Sequence, residues 1–567
     1  MRQLNRLNQF QRLWQPSSGA PQQTTIAELA ARCFCSERHV RTLLRQASEA
    51  GWLRWQAQAG RGRRGTLTFL LDPEQLRNTM MEQALESGQQ QSALALAQLA
   101  PVALRALLQP ILGGRWQNNT ATLRIPYYRP LEPLRPGFMP GRAEQHLSGQ
   151  IFSGLTRFDS RADEPVGDLA HHWRIGDGGL RWHFYIRSTL RWHNGDPVHA
   201  AQLAERLEML LALPPLRRLF ASVRRIEATP GQGLTFILSR PDYWLAHRLA
   251  SYCSRLAHPQ QPETGTGPFR LQRFGPELIR LENHDRYHLS HPLIQAIEYW
   301  ITPGLFGQDL GTSCRHPVQI AIGAPEELSS LQMVSRSISL GFCYLALRRN
   351  RRLSRAQAGR IINLIHRTPL LQNLPLDDDL IAPSRDLLPG WAIPLADDDP
   401  GVALPARLTL VYHLPVELHT MAERLRDLLA EQGCTLTVVF HNAKSWDDCP
   451  ALADADLLMG DRLIGEAPEY VLEQWLRCDP LWPRVLGRAG YARLGETLDA
   501  VQAKEDADVR HAALREVFHR LMANGTLTPL FNYQYKISAP PGVNGIALNA
   551  LGWFDFTRAW LPAAGGE

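Results

Sequence analysis

Two sets of side chains near the N-terminus have the types and spacing to carry out chemistry. Cys33 and Cys35 are spaced like the first two ligands of a metal site. A structural zinc site needs further ligands, and one nearby histidine is the only candidate, so the metal interpretation is weak. Arg38, Arg41 and Arg45 recur every three or four residues, so a helix would present all three on one face. Such guanidinium groups bind phosphates and base edges.

The residues around these arginines predict a helix-turn-helix. Thr25 and Glu28 have the spacing of a capping box, and Ser36 is a good N-cap for a second helix. Gly51 lies where a left-handed residue ends that helix. The apolar stripes of the two predicted helices consist of Ile26, Leu29, Ala30 and Cys33, and of Val40, Leu43, Leu44 and Ala47. Cys33 is therefore interpreted as a packing residue.

A basic β-hairpin is predicted directly after the second helix. The segments "WLRWQAQ" and "TLTFLL" both alternate in strand fashion, and the basic loop "AGRGRRG" lies between them. A hairpin in this position is the wing of a winged helix, and its arginines would contact the DNA backbone or the minor groove. We predict that this head binds double-stranded DNA through Ser36, Arg38, His39, Arg41, Thr42, Arg45, Arg61, Arg63 and Arg64.

The charge of the chain is concentrated in this head. Residues 1–70 contain 11 arginines and 3 glutamates, whereas the whole chain of 567 residues has a net charge of +6. The remaining residues are therefore slightly negative in sum. A basic head on a nearly neutral body indicates that the head binds a polyanion and that the body does not.

Other function classes lack their sequence signals. The N-terminus "MRQLNRLNQFQRLW" has no apolar run of signal-peptide length, and no stretch approaches ~18 uninterrupted apolar residues. We therefore expect a soluble, cytoplasmic protein that has no membrane contact and whose scattered cysteines are reduced. Neither a G-x-S-x-G nor an H-E-x-x-H motif occurs, and "GTGPF" lacks the Lys-Ser/Thr of a phosphate loop. No enzymatic activity, cofactor or metal is predicted.

Downstream of the head, a helical connector and an α/β body are predicted. Residues 73–113 form two helical stretches, the first starting at Pro73 and the second ending at the pair Gly113–Gly114. This connector could be a rigid spacer or a dimerisation surface, so a homo-oligomer remains open. From Thr122 onward strands and helices alternate, which favours an α/β fold.

Several motifs of the body resemble the family 5 extracellular solute-binding proteins, which are dipeptide and oligopeptide receptors. The segments "EPVGDLAHHW", "LRWHFYIR", "RWHNGDPVHA" and "GTGPF" carry the resemblance, and "LTLVYHLPVELHTMAERLRDLLAEQGCTLTVVF" fits a β-α-β unit of the second lobe. The matching residues are Pro165, Leu169, Ala170, Trp173, Gly179, Trp182, Phe184, Arg187, Trp192, His193, Asn194, Gly195, Pro197, Ala200 and 265–269. The resemblance runs from about residue 120 to the end and implies a bilobal body.

A winged head before such a body is similar to the SgrR family of transcriptional regulators, and close to its YbaE-type branch. The opening "QFQRLWQPSSG" and the ending "PPGVNGIALNALGWFDFTRAWL" extend this resemblance over the whole chain. It implies an α/β fold class in which a winged helix-turn-helix precedes a bilobal periplasmic-binding-protein-like body (type II, family 5). The expected domains are a DNA-binding domain at 1–72, a connector at 73–115 and the body at 116–567, with its second lobe at roughly 336–540.

Candidate ligand-binding residues follow strands of the body, because bilobal clefts are lined from strand ends. Tyr127, Tyr128 and Arg129 follow the first body strand, and Tyr533 lies on a late strand. By resemblance, Asp461 and Arg462 lie in the loop where peptide receptors hold the amino group of their substrate. That loop, "MGDRLIGE", lacks the tryptophan of the peptide receptors, so peptide specificity does not carry over. An arginine there suits an anionic ligand such as a phosphorylated sugar.

The leading hypothesis is a DNA-binding regulator that senses a small molecule in its bilobal domain. Closure of the lobes on the ligand would change how the head binds its operator, because the ligand prefers the closed state. One alternative is a cytoplasmic solute- or peptide-binding protein without regulatory DNA binding. A second alternative, an enzyme built on the bilobal body, has no catalytic set of residues to support it.

Overall fold

In its described residues, the head consists of three helices and a small sheet. The structure is a computed structural model that describes residues 2–14, 20–58, 63–87, 89–98, 108, 111–117, 119–127, 129–137, 141–159, 162–303, 333–335, 341–348, 352–368, 381–397, 399–413, 417–443, 445–464, 467–533, 536–538, 543–545 and 555–563. In chain order, the head elements are α1 (Arg2–Leu13), β1 (Gln22–Thr24), α2 (Ile26–Cys33), α3 (Glu37–Glu49), β2 (Leu53–Gln56) and β3 (Gly65–Phe69). The strands pair antiparallel in the order β1-β3-β2. The predicted helix pair and hairpin are confirmed, and β1 is an additional strand.

Local hydrogen bonds explain where α2 and α3 begin and end. The Thr25 hydroxyl accepts from the Glu28 N–H at 3.1 Å, and the Glu28 carboxylate accepts from the Thr25 N–H at 3.0 Å, which confirms the predicted capping box. The Ser36 hydroxyl accepts from the His39 N–H at 3.3 Å. Gly51, just beyond α3, has a φ of 73°, a conformation in which glycine avoids the steric cost of a side chain.

The connector attaches the head to the body. Its helices are α4 (Pro73–Glu86) and α5 (Gln90–Gln98), and the Asp72 carboxylate caps α4 by accepting from the Glu74 N–H at 2.6 Å. As predicted, a helix begins at Pro73. The glycine pair predicted to end it instead begins strand β4 (Gly113–Gln117), where Gly114 lies directly against the side chain of Leu561. A Cβ at that glycine would collide with the leucine.

Within its described residues, the first lobe contains two large sheets and one two-stranded sheet. Its further elements are β5 (Thr120–Tyr127), α6 (Arg142–Ile151), β6 (Thr156–Arg157), β7 (Val166–Gly167), β8 (Ala170–Gly176), β9 (Arg181–Ile186), α7 (Ala200–Leu211), α8 (Pro214–Leu219), β10 (Val223–Thr229), β11 (Gly233–Leu238), α9 (Leu245–Ala250), β12 (Phe269–Phe274), β13 (Leu278–Asn283) and β14 (Ala296–Ile301). One sheet has the order β12-β13-β14-β5-β4 and the other the order β10-β11-β9-β8. Strands β5 and β14 pair in parallel, and both are buried along almost their whole length.

A buried histidine joins two motifs that lie far apart in the sequence. The Nδ1 of His193 accepts from the Gly265 N–H at 3.2 Å, and its Nε2 lies 3.0 Å from the Gly267 carbonyl oxygen. Burial lowers the pKa of His193 to about 3, so the ring is neutral and Nε2 carries the proton that Gly267 accepts. Both glycines lie against the end of α6, where a side chain would meet backbone carbonyls. The "HNG" and "GTGPF" motifs are therefore parts of one structural junction.

The second lobe is a mixed sheet with helices on both faces. In chain order, the elements after the first lobe are β15 (Met333–Ser335), β16 (Gly341–Leu347), α10 (Arg355–Arg367), β17 (Ile381–Pro383), β18 (Arg407–His413), α11 (Glu417–Glu431), β19 (Thr435–His441), β20 (Leu457–Leu463), α12 (Pro468–Cys478), α13 (Leu481–Gln502), α14 (Ala507–Ala523), β21 (Leu527–Tyr533) and β22 (Lys536–Ser538). The sheet order is β17-β21-β16-β20-β18-β19, and β18-α11-β19 is the predicted parallel unit. Short strands β15 and β22 pair outside this sheet. Residues 543–545 and 555–563 return to the first lobe, where Pro562 accepts a hydrogen bond from Trp116 at 2.6 Å.

Candidate functional site

The outer face of α3 carries the arginines that were predicted to bind DNA. Arg38, Arg41 and Arg45 are exposed, whereas Val40 and Leu44 on the opposite face are buried in the core of the head. The helix is therefore amphipathic, and its apolar stripe fixes which side chains face outward. Three cations on one exposed helical face form a surface suited to a polyanion.

Other residues of the predicted DNA-binding set also lie on or beside this face. Ser36 caps α3, and the Thr42 hydroxyl donates to the Arg38 carbonyl at 3.1 Å, so both hydroxyls interact with the helix backbone. His39 is exposed on the first turn. In the wing, Arg63 is exposed, and Arg61 lies outside the described residues.

Three glutamates of the head form ion pairs with predicted DNA-binding arginines. The pairs are Glu37 with Arg41 at 2.9 Å, Glu49 with Arg45 at 3.9 Å, and Glu28 with Arg64 at 3.4 Å. The hydrogen bond from the Thr25 backbone, followed by that from the Thr24 hydroxyl, lowers the pKa of Glu28, so this carboxylate is ionised at neutral pH. Any DNA bound here would compete with carboxylates for the guanidinium groups.

The two cysteines precede α3, so neither lies on its arginine face. Cys33 is fully buried in the core of the head. Burial, followed by the neighbouring Cys35, raises the pKa of the Cys33 thiol to about 11, so the thiolate that a metal would need is disfavoured. Among the described residues, no group of three or more His, Cys, Asp or Glu side chains is arranged to hold a metal ion.

In the first lobe, the predicted ligand-binding residues lie at the end of β5. Tyr127 is 5% exposed and packs edge-on against Tyr299, with ring centroids 6.1 Å apart. Tyr128 lies outside the described residues. Arg129 forms two hydrogen bonds to the buried carboxylate of Glu144, at 2.6 and 3.0 Å. Burial alone would raise the pKa of Glu144, but Arg129 outweighs it and lowers that pKa. Both described side chains are thus engaged within the lobe.

In the second lobe, the predicted residues lie at the end of β20. This strand runs parallel to β18, so its last residues lie at the carboxyl edge of the sheet, where α/β folds bind ligands. Asp461 and Arg462 are half-buried there, on opposite faces because they are adjacent in a strand. Within the described part of the chain, the buried Nε of Arg462 makes no hydrogen bond. Tyr533 ends β21, and its side chain lies outside the described residues.

Burial raises the pKa of a nearby carboxyl group, that of Asp479. The value rises to about 6 even though the Leu481 N–H and the charge of Arg462 act in the opposite direction. Arg462 therefore lies within electrostatic reach of a buried acid, in a region where charge is costly. An anion at this strand end would find a half-buried guanidinium group whose Nε makes no hydrogen bond to a described residue.

Comparison with known proteins places the chain in a family. Residues 5–119 match the family described as "Sugar transport-related sRNA regulator N-term", and residues 164–304 match "Bacterial extracellular solute-binding proteins, family 5 Middle". The Escherichia coli (strain K12) protein YbaE is 68% identical over 563 residues, which cover 99% of this chain and 100% of YbaE. The "HTH-type transcriptional regulator SgrR" of Yersinia enterocolitica is 30% identical over 573 residues, or 98% of each chain. This chain belongs to the SgrR family.

Solved structures show the fold of the SgrR-family body. NikA from Brucella suis has a TM-score of 0.64 at 16% identity, and covers 78% of this chain and 100% of its own. A dipeptide-binding protein from Pseudoalteromonas sp. SM9913 has a TM-score of 0.62 at 15% identity, with 77% of this chain and 100% of its own covered. The predicted α/β fold class with a family 5 bilobal body is thus confirmed. None of the described helices is both long and apolar enough to cross a membrane.

The SgrR-family body also contains a buried ion network that was not predicted. Arg248 of the first lobe donates two hydrogen bonds to Glu473 of the second, at 2.9 and 3.0 Å, and a third to Asp242 at 2.9 Å. All three side chains are 0% exposed. We call this set, completed by three residues of α12 and α13, the interlobe ion network: Asp242, Arg248, Glu473, Arg477, Asp499 and Gln502. It could not be predicted from the sequence because Arg248 and Glu473, which join its two parts, are more than 200 residues apart.

Proposed function

We propose that this SgrR-family chain is a DNA-binding transcriptional regulator whose bilobal body binds a small-molecule ligand. The observation that carries the proposal is the exposed arginine face of α3, in a helix-turn-helix that precedes a solute-binding fold. Its relatives named HTH-type transcriptional regulators align over 98% of the chain. The proposed roles are DNA binding for residues 1–72, connection for 73–115 and ligand binding for 116–567. Because the target is DNA, the place of action is the cytoplasm.

The connector supplies a physical route between the two activities. Apolar residues of α4 and α5 share one core with the head and with Leu278 and Trp300 of the first-lobe sheet. The Gln91 amide of α5 also donates to Glu277 at 2.9 Å. The head is thus packed against the first lobe through a continuous apolar core. A ligand that changes the relation of the lobes would act on the operator through this core.

The DNA-binding half is tested by replacing Arg41 and Arg45 with alanine. We expect the double variant to lose at least tenfold in affinity for duplex DNA, because each arginine contacts a phosphate or a base edge. Fluorescence anisotropy of labelled duplex DNA over a series of salt concentrations measures this affinity. The slope of log K against log salt should decrease by about 2, close to one for each lost phosphate contact. Arg225→Ala is the matched control, because Arg225 is 60% exposed and paired with Glu227 but lies on the body. Equal binding by both variants contradicts the proposal.

The ligand-binding half is tested by replacing Arg462 with glutamine. We expect anionic metabolites such as sugar phosphates to raise the melting temperature of the full chain. At a ligand concentration one hundred times Kd, binding should add ~2.7 kcal/mol to the free energy of unfolding. Arg462→Gln should remove that shift because the ligand loses its cationic partner. Arg426→Gln is the control, since Arg426 is 45% exposed on α11. Stabilisation by neutral compounds only, or an undiminished shift in Arg462→Gln, would argue against an anionic ligand at this strand end.

A further inference from the structure

Every acidic residue among residues 1–70 lies against a predicted DNA-binding arginine. Residues 1–70 contain only Glu28, Glu37 and Glu49 as acids, and each forms an ion pair with such an arginine. Phosphates repel carboxylates on a surface that binds DNA, so each carboxylate there weakens DNA binding. Its presence then indicates another role. Each of the three glutamates therefore needs its own explanation.

Two of the three glutamates have a simple structural explanation. Glu28 completes the capping box of α2 and also accepts from the Thr24 hydroxyl at 2.8 Å. Glu49 is the last residue of α3, its side chain is 69% exposed, and its contact with Arg45 is long, at 3.9 Å. An exposed pair of that length contributes little to stability or to orientation. Neither residue lies where α3 begins.

Glu37 differs from both in its place and in its contact. It is the first residue of α3, directly after the Ser36 cap, and its side chain is 51% exposed. In a helix-turn-helix, the N-terminal residues of the second helix enter the major groove and contact base edges. Its carboxylate accepts from Nη2 of Arg41 at 2.9 Å. The end of the helix that meets the DNA bases therefore presents a glutamate and an arginine that are one turn apart and hydrogen-bonded to each other.

We infer that Glu37 is a specificity determinant of DNA binding, which deepens the proposed function and rests on it. Arg41 donates to the O6 and N7 acceptors of a guanine, which is the most frequent specific contact of arginine in the major groove. Glu37 holds one guanidinium nitrogen and leaves the other donors free. Its own carboxylate accepts from the N4 amino group of a cytosine, which is the usual partner of a carboxylate in this groove. The pair thereby selects adjacent guanine and cytosine edges.

The same carboxylate also acts against DNA of the wrong sequence. A thymine at the same place presents an O4 acceptor, and a guanine presents O6 and N7 acceptors, so Glu37 would face another acceptor without a hydrogen bond. Phosphates of non-cognate sites repel it as well. Glu37 thus lowers general affinity while it raises the ratio of specific to non-specific binding.

The test is selection from a random duplex library by the full chain, with Glu37→Gln and the control Glu49→Gln. Glutamine keeps the size of an exposed side chain but is both donor and acceptor, so it no longer rejects acceptor edges. We expect the unsubstituted chain and Glu49→Gln to enrich the same motif. Glu37→Gln should lose about tenfold in preference at one or two adjacent positions, in line with one good base contact, and should bind non-cognate DNA at least as tightly.

Each other outcome has a defined meaning. If Glu37→Gln enriches the same motif with the same preference at every position, Glu37 serves only the helix and the inference is wrong. If Glu49→Gln changes the motif to the same extent, the effect is one of total charge, and the inference is wrong again. If the unsubstituted chain enriches no motif, the proposed function itself fails, and this result is distinct from the other two.

Discussion

Replacing Arg248 with methionine is expected to lower the free energy of unfolding by about 3–5 kcal/mol. Its guanidinium group is completely buried between the lobes and is the common partner of Asp242 and Glu473. Burial alone would raise the pKa of Glu473, but the charges of Arg248 and Arg477 outweigh it and keep that pKa low. Without Arg248, Asp242 loses its ion pair and Glu473 keeps only the ion pair with Arg477.

Denaturant unfolding of the full chain measures this loss. The control is Arg225→Met, which breaks an exposed ion pair at 3.0 Å and should cost less than about 1 kcal/mol. A double variant that also carries Glu473→Met should be more stable than the sum of the two single changes predicts, because it removes both charges together. An Arg248→Met protein that unfolds like Arg225→Met would show that the network does not hold the lobes.

Replacing Trp300 with alanine is expected to destabilise the junction of head and body by about 3–5 kcal/mol. Trp300 is 0% exposed, and its side chain packs in the core that the connector shares with the head. Its indole N–H donates to Glu298 at 3.0 Å, and the Arg124 guanidinium lies over the ring at 5.9 Å. The change leaves a cavity beneath the connector and a carboxylate with one donor fewer.

Limited proteolysis and denaturant unfolding together test this second prediction. We expect Trp300→Ala to unfold at lower denaturant and to be cleaved more readily within the connector. DNA binding should persist, because Arg41 and Arg45 lie on the outer face of α3. Trp560→Ala is the control, since that tryptophan is 40% exposed and lies in the C-terminal segment. Indistinguishable behaviour of the two variants would mean that the head is not held by the first-lobe sheet.

The interlobe ion network has a consequence for how a ligand could act. Solute-binding folds respond to ligands through the relation of their two lobes. Here Arg248 and Glu473 are buried only while α9 and α12 remain in contact, so separating the lobes at this point would expose or unpair them. Opening at this point is therefore opposed by the network. We therefore expect ligand binding to cause shifts at the strand end near Arg462 that are smaller than a separation of the lobes.

Much of the head could be predicted from the sequence because its determinants are local. Caps such as Thr25 and Ser36 act within three residues, and the αL position of Gly51 follows from helix geometry. The apolar stripe of α3 alone decides that Arg38 and Arg45 face outward. The winged helix and the bilobal body were both predicted. The body was predicted through motifs such as "RWHNG", in which His193 forms hydrogen bonds to Gly265 and Gly267.

The remaining features depend on contacts between distant segments. Strand β1 forms only because Gln22–Thr24 meets β3 more than 40 residues later. Tyr127 was expected in the cleft because it lies where the first body strand ends. Strand β5 is buried on both faces, however, so Tyr127, its last residue, packs in the core. No period or spacing in the sequence distinguishes these two outcomes. The left-handed backbone of Phe34, with a φ of 50°, was not predicted, because a bulky side chain disfavours that conformation.

Capture of genomic fragments is a direct test of whether the α3 face binds particular DNA sequences. The full chain and its Arg41→Ala, Arg45→Ala variant would be incubated separately with sheared genomic DNA, and the retained fragments sequenced. We expect the unsubstituted chain to retain a small set of fragments with a shared motif and the variant to retain no such set. Equal retention by the two proteins, or fragments without a common motif, would contradict this expectation and would favour a solute-binding protein without regulatory DNA binding.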